Sequence, residues 1–282
     1  MDFGLAHRLR QQFARLIAGV ACLAIGAAAR AEADCGTPSG TWRVVAVDER
    51  LDIALQDGRL VRLVGLEAFD PTRVSPETAG AARQFLTERL LGRDVELKLL
   101  ASGTDRWGRA LADLSLPEPS GEAGSTVAMA LLSAGYARVR PEFEARDCAA
   151  ARLAVEDGAR RAGLGLWSEP DYTVIQSSDA AALRSRDGQF VVIEGRVRRV
   201  GFGRSRLYLD LVPRDGPTIV VARKLESALV RAGRPVDMLA GQTIRARGAL
   251  DDRIGPRIEI NEPAMIEIVR PLEAPGAENP RR

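Results

Sequence analysis

Apolar and polar residues alternate through Val44 and Ala46, again through Ile53 and Leu55, and once more through Val61 and Leu63 after the pair Asp57-Gly58. A period of two predicts three strands, with Asp57-Gly58 as a hairpin turn. The period then lengthens. Ser75-Pro76-Glu77 supplies an N-cap, a proline at the first helical position and an early acid; Phe85, Leu86 and Leu90 follow, and Gly92 ends the helix. Two more strands are predicted around Val95 to Leu100 and Ala110 to Leu116. A helix starts at Ser125 and ends near Gly135, and a third runs from about Glu142 to Gly163 with Ala149, Leu153 and Ala154 on its apolar face.

Beyond Pro170 the composition shifts to Ser, Asp and Ala, which marks a linker over 171–188 with room for a short helix. Gln189 to Val200 and Arg206 to Leu211 read as strands joined by the turn Gly201-Phe202-Gly203, and Thr218 to Ala222 as a third. Leu225 to Arg231 is helical; Thr243 to Leu250 and Arg257 to Ile268 complete the sheet. Strand, strand, strand, helix, strand, strand is the order of an OB fold. The fold class is therefore mainly β with α (α+β): an OB barrel with three helices over 41–170, then a second five-stranded OB-like barrel over 189–270 and a flexible tail over 271–282.

Composition first matters at the N-terminus. Arg8, Arg10 and Arg15 precede the apolar run Leu16 to Ala29, which ends in Ala29-Arg30-Ala31. This predicts a secretory signal peptide over 1–31, cleaved after Ala31, then a short segment over 32–40, and a secreted or periplasmic location with no membrane attachment once cleaved. A retained anchor is the alternative, but the run falls short of the ~20 apolar residues that a spanning helix needs. Cleavage would remove four Arg and one Asp, taking the formal charge from +2 to −1. It would also remove His7, the only histidine, and with it imidazole catalysis and histidine-containing zinc sites. Cys35 and Cys148 would remain, an even pair that suggests a disulfide in an exported protein, with two separate thiols as the alternative.

Four short motifs then stand in order: Arg62-Leu63-Val64-Gly65-Leu66-Glu67-Ala68-Phe69-Asp70, Asp105-Arg106-Trp107-Gly108-Arg109, Gly135-Tyr136-Ala137 and Gly165-Leu166-Trp167. Together they resemble the landmarks of the staphylococcal nuclease (thermonuclease) family over 41–169. The resemblance implies an OB barrel with three helices that hydrolyses phosphodiester bonds in DNA or RNA with one calcium ion. By position, Arg62 and Arg109 would bind phosphate, Glu67 would be a calcium ligand and Asp70 the general base; Trp107, beside Arg106, would stack near the nucleotide. A hard cation wants carboxylate oxygens, and a phosphate in reaction wants planar bidentate donors.

The departures are as informative. The family's acidic D-G-D-T turn reads Glu49-Arg50-Leu51-Asp52, which puts Leu51 at a ligand position and Asp52 one residue late, so that Asp52 would serve only if a bulge re-aimed it. Glu67 and Asp70 exchange the expected lengths, and Phe69 replaces a proline. Two readings stay open: a weakened calcium-dependent nuclease, or a catalytically degenerate homologue that binds nucleic acid or serves in the cell envelope. Arg62 and Arg109 as structural ion pairs, and Glu67 and Asp70 as their partners, are the bland alternatives. Tyr136 and Trp167 read as core aromatics. The segment from residue 171 on carries net +4 against −5 for 32–170. Arg196, Arg198, Arg199, Arg204 and Arg206 cluster at its first hairpin with Phe202 and Tyr208, which suggests a single-strand binding face, or else a solvated hairpin.

Overall fold

The computed structural model describes residues 36–67, 69–115, 126–213 and 216–269, all within one compact unit. The expected signal peptide, Cys35, Ala68, Ser125 and the C-terminal tail lie outside the described residues. Among the described residues no helix is long and apolar enough to cross a membrane.

The first module is a closed barrel of β1 (Thr37–Val47), β2 (Ile53–Leu55), β3 (Leu60–Leu63), β4 (Asp94–Thr104) and β5 (Ala110–Ser115), in the order β1-β2-β3-β5-β4. Only β3 and β5 run parallel, with Arg62 opposite Leu111. Most of the alternating apolar positions point inward, so Val44, Ile53, Leu55, Val61, Leu97 and Leu114 form the core; Ala46 is instead exposed and Val47 buried, because the register shifts between Val44 and Ala46. Helix α1 (Pro76–Leu90) starts where predicted, on a Ser75 side chain that accepts from the Thr78 amide at 3.2 Å. Such a cap stabilises a helix by about 1 kcal/mol. Leu86 and Leu90 seal the barrel beneath α1, and α2 (Val127–Ser133) and α3 (Ala149–Arg161) pack beside it. The third helix is shorter than expected. Phe143–Cys148 is a 3-10 segment with non-helical Ala145, and Glu142 makes no capping bond there because its carboxylate serves Arg62 and the Gly65 amide.

The second module adds β6 (Ile175–Gln176), α4 (Ala180–Ser185), β7 (Phe190–Arg196), β8 (Arg199–Phe202), β9 (Arg206–Asp210), β10 (Thr218–Ala222), α5 (Glu226–Arg231), β11 (Thr243–Asp251), β12 (Arg257–Ile260) and β13 (Ile266–Ile268). Its sheet has eight strands in the order β6-β7-β11-β12-β10-β9-β8, with β13 on β11. The larger count than five has local causes. The expected strand from Gln189 to Val200 breaks after Arg196, where Val197 N–H turns to Gln242 and Arg198 N–H to Asp210. The final strand is interrupted by a 3-10 turn at Pro263–Met265, whose proline has no N–H to give. Gly201 and Phe202 lie in β8, and the hairpin turns at Gly203, whose N–H donates to the Arg206 carbonyl. Because β7 and β8 are halves of one bent stretch of chain, the strand path returns to where it began. With β10 and β12 parallel, this module repeats the connectivity of the first.

Buried arginines join the modules. Arg247 of β11, fully buried, donates to both Glu156 oxygens on α3 (2.8 and 3.1 Å), to the Val139 carbonyl and to Glu267 (2.6 Å). Arg138 donates to the Tyr172 and Phe190 carbonyls, each at 2.9 Å. Cys148 is buried just before α3.

Candidate functional site

Two turns of the same construction build one end of the first barrel. In the first, Asp48 Oδ1 accepts from the amides of Arg50 and Asp52, both at 2.8 Å, and Leu51 takes φ 63°. In the second, Asp105 Oδ1 accepts from the amides of Trp107 (2.9 Å) and Arg109 (3.0 Å), and Gly108 takes φ 79°. The fourth residue of each turn is left-handed and the fifth re-enters the sheet. Glycine accepts that conformation without cost, whereas a leucine there is strained by roughly 1–2 kcal/mol. Leu51 holds it because its side chain is buried in the core.

The two fifth residues meet: Arg109 Nη1 donates to Asp52 Oδ2 at 2.6 Å, while Nε donates to Asp105 at 2.8 Å. The ladder between β1 and β2 is irregular between Val44 and Ala46, and the Asx turn follows it, so Asp52 points into the cleft. Burial lifts the Asp52 carboxyl above its ordinary range, against the pull of Arg109. Burial would lower Arg109, but the bonds from Asp52 and Asp105 outweigh it and raise it. Arg109 keeps its charge at neutral pH, as a guanidinium does.

A cleft of about 810 Å³ opens between these turns and the Tyr136–Glu142 segment. It brings together Asp52, Arg62, Glu67, Arg106, Trp107 and Arg109, as the sequence suggested, and leaves Asp70 outside its lining. Arg62 Nη2 donates to Glu142 Oε1 at 2.7 Å. Glu67 accepts from Arg138 Nε at 2.7 Å, facing the seam between the modules. Asp70 caps the turn that follows it, accepting from Thr72 N–H (3.0 Å) and Oγ1 (2.6 Å). The Thr72 hydroxyl, ahead of the charges of Arg50 and Arg73, holds the Asp70 carboxyl below its ordinary range, which makes it a weak base. Trp107 is 63% exposed at the mouth, with the Arg106 guanidinium 3.9 Å above its ring.

Sequence reasoning missed Arg50, Arg140 and Glu142 in the cleft, and Arg138 behind it. The alternation Arg138-Val139-Arg140 directly after Gly135-Tyr136-Ala137 was the available signal; Val139 bridges to Leu66 and carries both arginines to the site. Of the second module's five predicted arginines, Arg199 and Arg206 line one common trough. Arg196 instead donates to the Gly241 carbonyl, and Arg198 and Arg204 are exposed outside it.

Calcium takes six to eight oxygen ligands, several of them carboxylate. The donors here do not fit that ion: Asp52, Glu67 and Asp70 each serve another partner, and among the described residues no group of three or more His, Cys, Asp or Glu converges as a metal site would require.

One cleft of the closed five-stranded barrel thus holds five arginines and an exposed indole. Residues 60–169 match the family model described as staphylococcal nuclease homologue, so this part of the chain is a staphylococcal-nuclease-like OB-fold segment. The match spans β3 to β5 and the three helices, while β1, β2 and the second module lie outside it. No curated protein matches the chain.

Proposed function

We propose that the first module binds nucleic acid through the phosphodiester backbone, as a nuclease-like domain whose binding surface outlasts its metal chemistry. The observation that carries this reading is the cleft itself: Arg50, Arg62, Arg106, Arg109 and Arg140 line one space with an exposed Trp107. Arg50 and Arg106 have no carboxylate within salt-bridge distance among the described residues, so they meet an incoming phosphate first. Arg62 and Arg109 lie deeper and must exchange Glu142 and Asp52 for phosphate oxygens, with bidentate geometry favouring the exchange. Trp107 stacks a base, which favours single strands over a closed duplex.

Phosphodiester hydrolysis is the second reading, kept because Arg62 and Arg109 share the cleft with Asp52 and Glu67. The charged N-terminus with its apolar run supports export, and export supports a Cys35–Cys148 disulfide.

The test is fluorescence anisotropy of a labelled single-stranded oligonucleotide across a salt series, beside a nuclease assay with calcium or chelator. Binding that falls steeply with salt and weakens in Trp107→Ala, without cleavage, is expected. Cleavage that needs calcium and disappears in Arg62→Ala would overturn the binding-only reading. Leu51→Asp adds a carboxylate in a conformation that Asp tolerates better than Leu, and should bring calcium affinity measurable by calorimetry.

A further inference from the structure

The outward face of the second module carries a trough of about 960 Å³, separate from the cleft. Residues directly opposed across β8, β9 and β10 stand in rows there. Gly201, Tyr208 and Val220 form one row; Arg199, Asp210 and Thr218 form the next, extended by Arg257 from the parallel strand β12. The glycines keep the Tyr208 ring uncovered. A Cβ at position 203 would come within 3.2 Å of Tyr208 Cε2, and one at 201 within 3.5 Å of its Cβ. A bare ring on a flat floor is a stacking platform. Arg206 from β9 and Arg184 from α4 complete the rim, and Phe202 stands exposed at the edge. Arg184 is exposed and has no carboxylate within salt-bridge distance among the described residues.

What lies between cleft and trough decides how they are used. A space of about 490 Å³ shares Arg62, Arg140 and Glu142 with the cleft, and its Glu259 reaches Arg206 of the trough at 3.6 Å. Four carboxylates, Glu142, Glu144, Glu259 and Glu262, line this passage against two arginines. A phosphodiester backbone is repelled there, so no strand is drawn from one site into the other.

We propose that the trough is a second, separate site for single-stranded nucleic acid. Tyr208 stacks a base, Arg184 meets a phosphate directly, Arg199, Arg206 and Arg257 exchange Asp210, Glu259 and Asp251 for the flanking phosphates, and the chain holds two segments at once. The trough stands on its own residues; only the count of two rests on the proposed role of the cleft.

The experiment is native mass spectrometry and calorimetry of the full chain with an oligothymidylate of about six nucleotides, within the range one such barrel covers. Two oligonucleotides per chain are expected. Tyr208→Ala should weaken one of them roughly tenfold, the scale of one lost stacked base, and leave the other unchanged. Arg184→Glu, on an exposed helical position, should weaken the same one and covers the case in which Tyr208→Ala fails to fold. One oligonucleotide per chain, unaffected by Tyr208→Ala and by Arg184→Glu, overturns the trough. One that survives Trp107→Ala and is lost in Tyr208→Ala keeps the trough and overturns the role of the cleft. Equal displacement by polyglutamate, which has charge and no bases, would overturn base stacking in the trough.

Discussion

The two barrels follow one connectivity and place their arginines by opposite means. In the first, turns do the placing: Asp48 and Asp105 each fix a turn by two amide bonds, and Asp52 and Arg109 face each other where the turns end. In the second, the sheet does it: Arg199, Arg206 and Arg257 project from strand positions opposed to Asp210, Ala222 and Thr218. A turn can hold a charge inside a cleft, and the carboxylates that hold it there also neutralise it. The strand face pairs its charges as well, Arg199 with Asp210 and Arg257 with Asp251, both at 2.6 Å, but leaves those arginines more exposed than Arg62 and Arg109. The difference teaches that one topology can offer a recessed paired site and a more exposed one in the same chain.

The joint between the barrels is where the comparison breaks most easily. Arg247→Ala leaves Glu156 buried, and Glu267 half-buried, without that cation, and should cost about 3–5 kcal/mol in a denaturant melt, a loss shared by both modules. Separate unfolding of one barrel with the other untouched would show that the joint carries little. Next in size, Trp107→Ala should weaken strand binding at the cleft by about 1–3 kcal/mol in an anisotropy titration, with no change at the trough.

Tyr172 tests the seam by pH. Its hydroxyl is buried without a hydrogen-bond partner among the described residues, and burial, with the charge of Glu67, pushes it up to about 12. Its ordinary value is about 10, so the folded chain holds this proton more tightly than the unfolded one. The contribution is therefore whole below pH about 10 and drains away as the pH climbs to about 12. Tyr172→Phe should flatten that part of the stability curve and raise the midpoint at neutral pH by the worth of one unsatisfied hydroxyl, about 1–2 kcal/mol. The smallest effect is expected from Asp52→Asn, which frees Arg109 and should tighten cleft binding by roughly tenfold or less. Weaker binding in that variant would mean that Asp52 positions Arg109 more than it neutralises it.

Much of the first barrel could be read from alternation and capping, because Val44, Ile53, Val61 and Ser75 act through neighbours close in sequence. Arg50 and Arg140 went unread in the cleft, whereas Arg62, Arg106 and Arg109 were legible through motifs that resemble those of a known family. Their partners were not. Glu142 reaches Arg62 and Arg138 reaches Glu67 only once the barrel has closed, since each pair is separated by more than seventy residues. The bend at Val197 was hidden for the same reason, as it is set by Gln242 and Asp210 from other strands.

The shared arginines also bear on how such a chain can be divided. A cut after Pro170 would strip Arg138 of the Tyr172 and Phe190 carbonyls and leave Glu156 facing solvent without Arg247. The other fragment would expose Arg247 with only Glu267 left to answer it. Each half alone is thus an incomplete surface, and a shuffling event that moved one barrel without the other would hand its new host an unpaired ion.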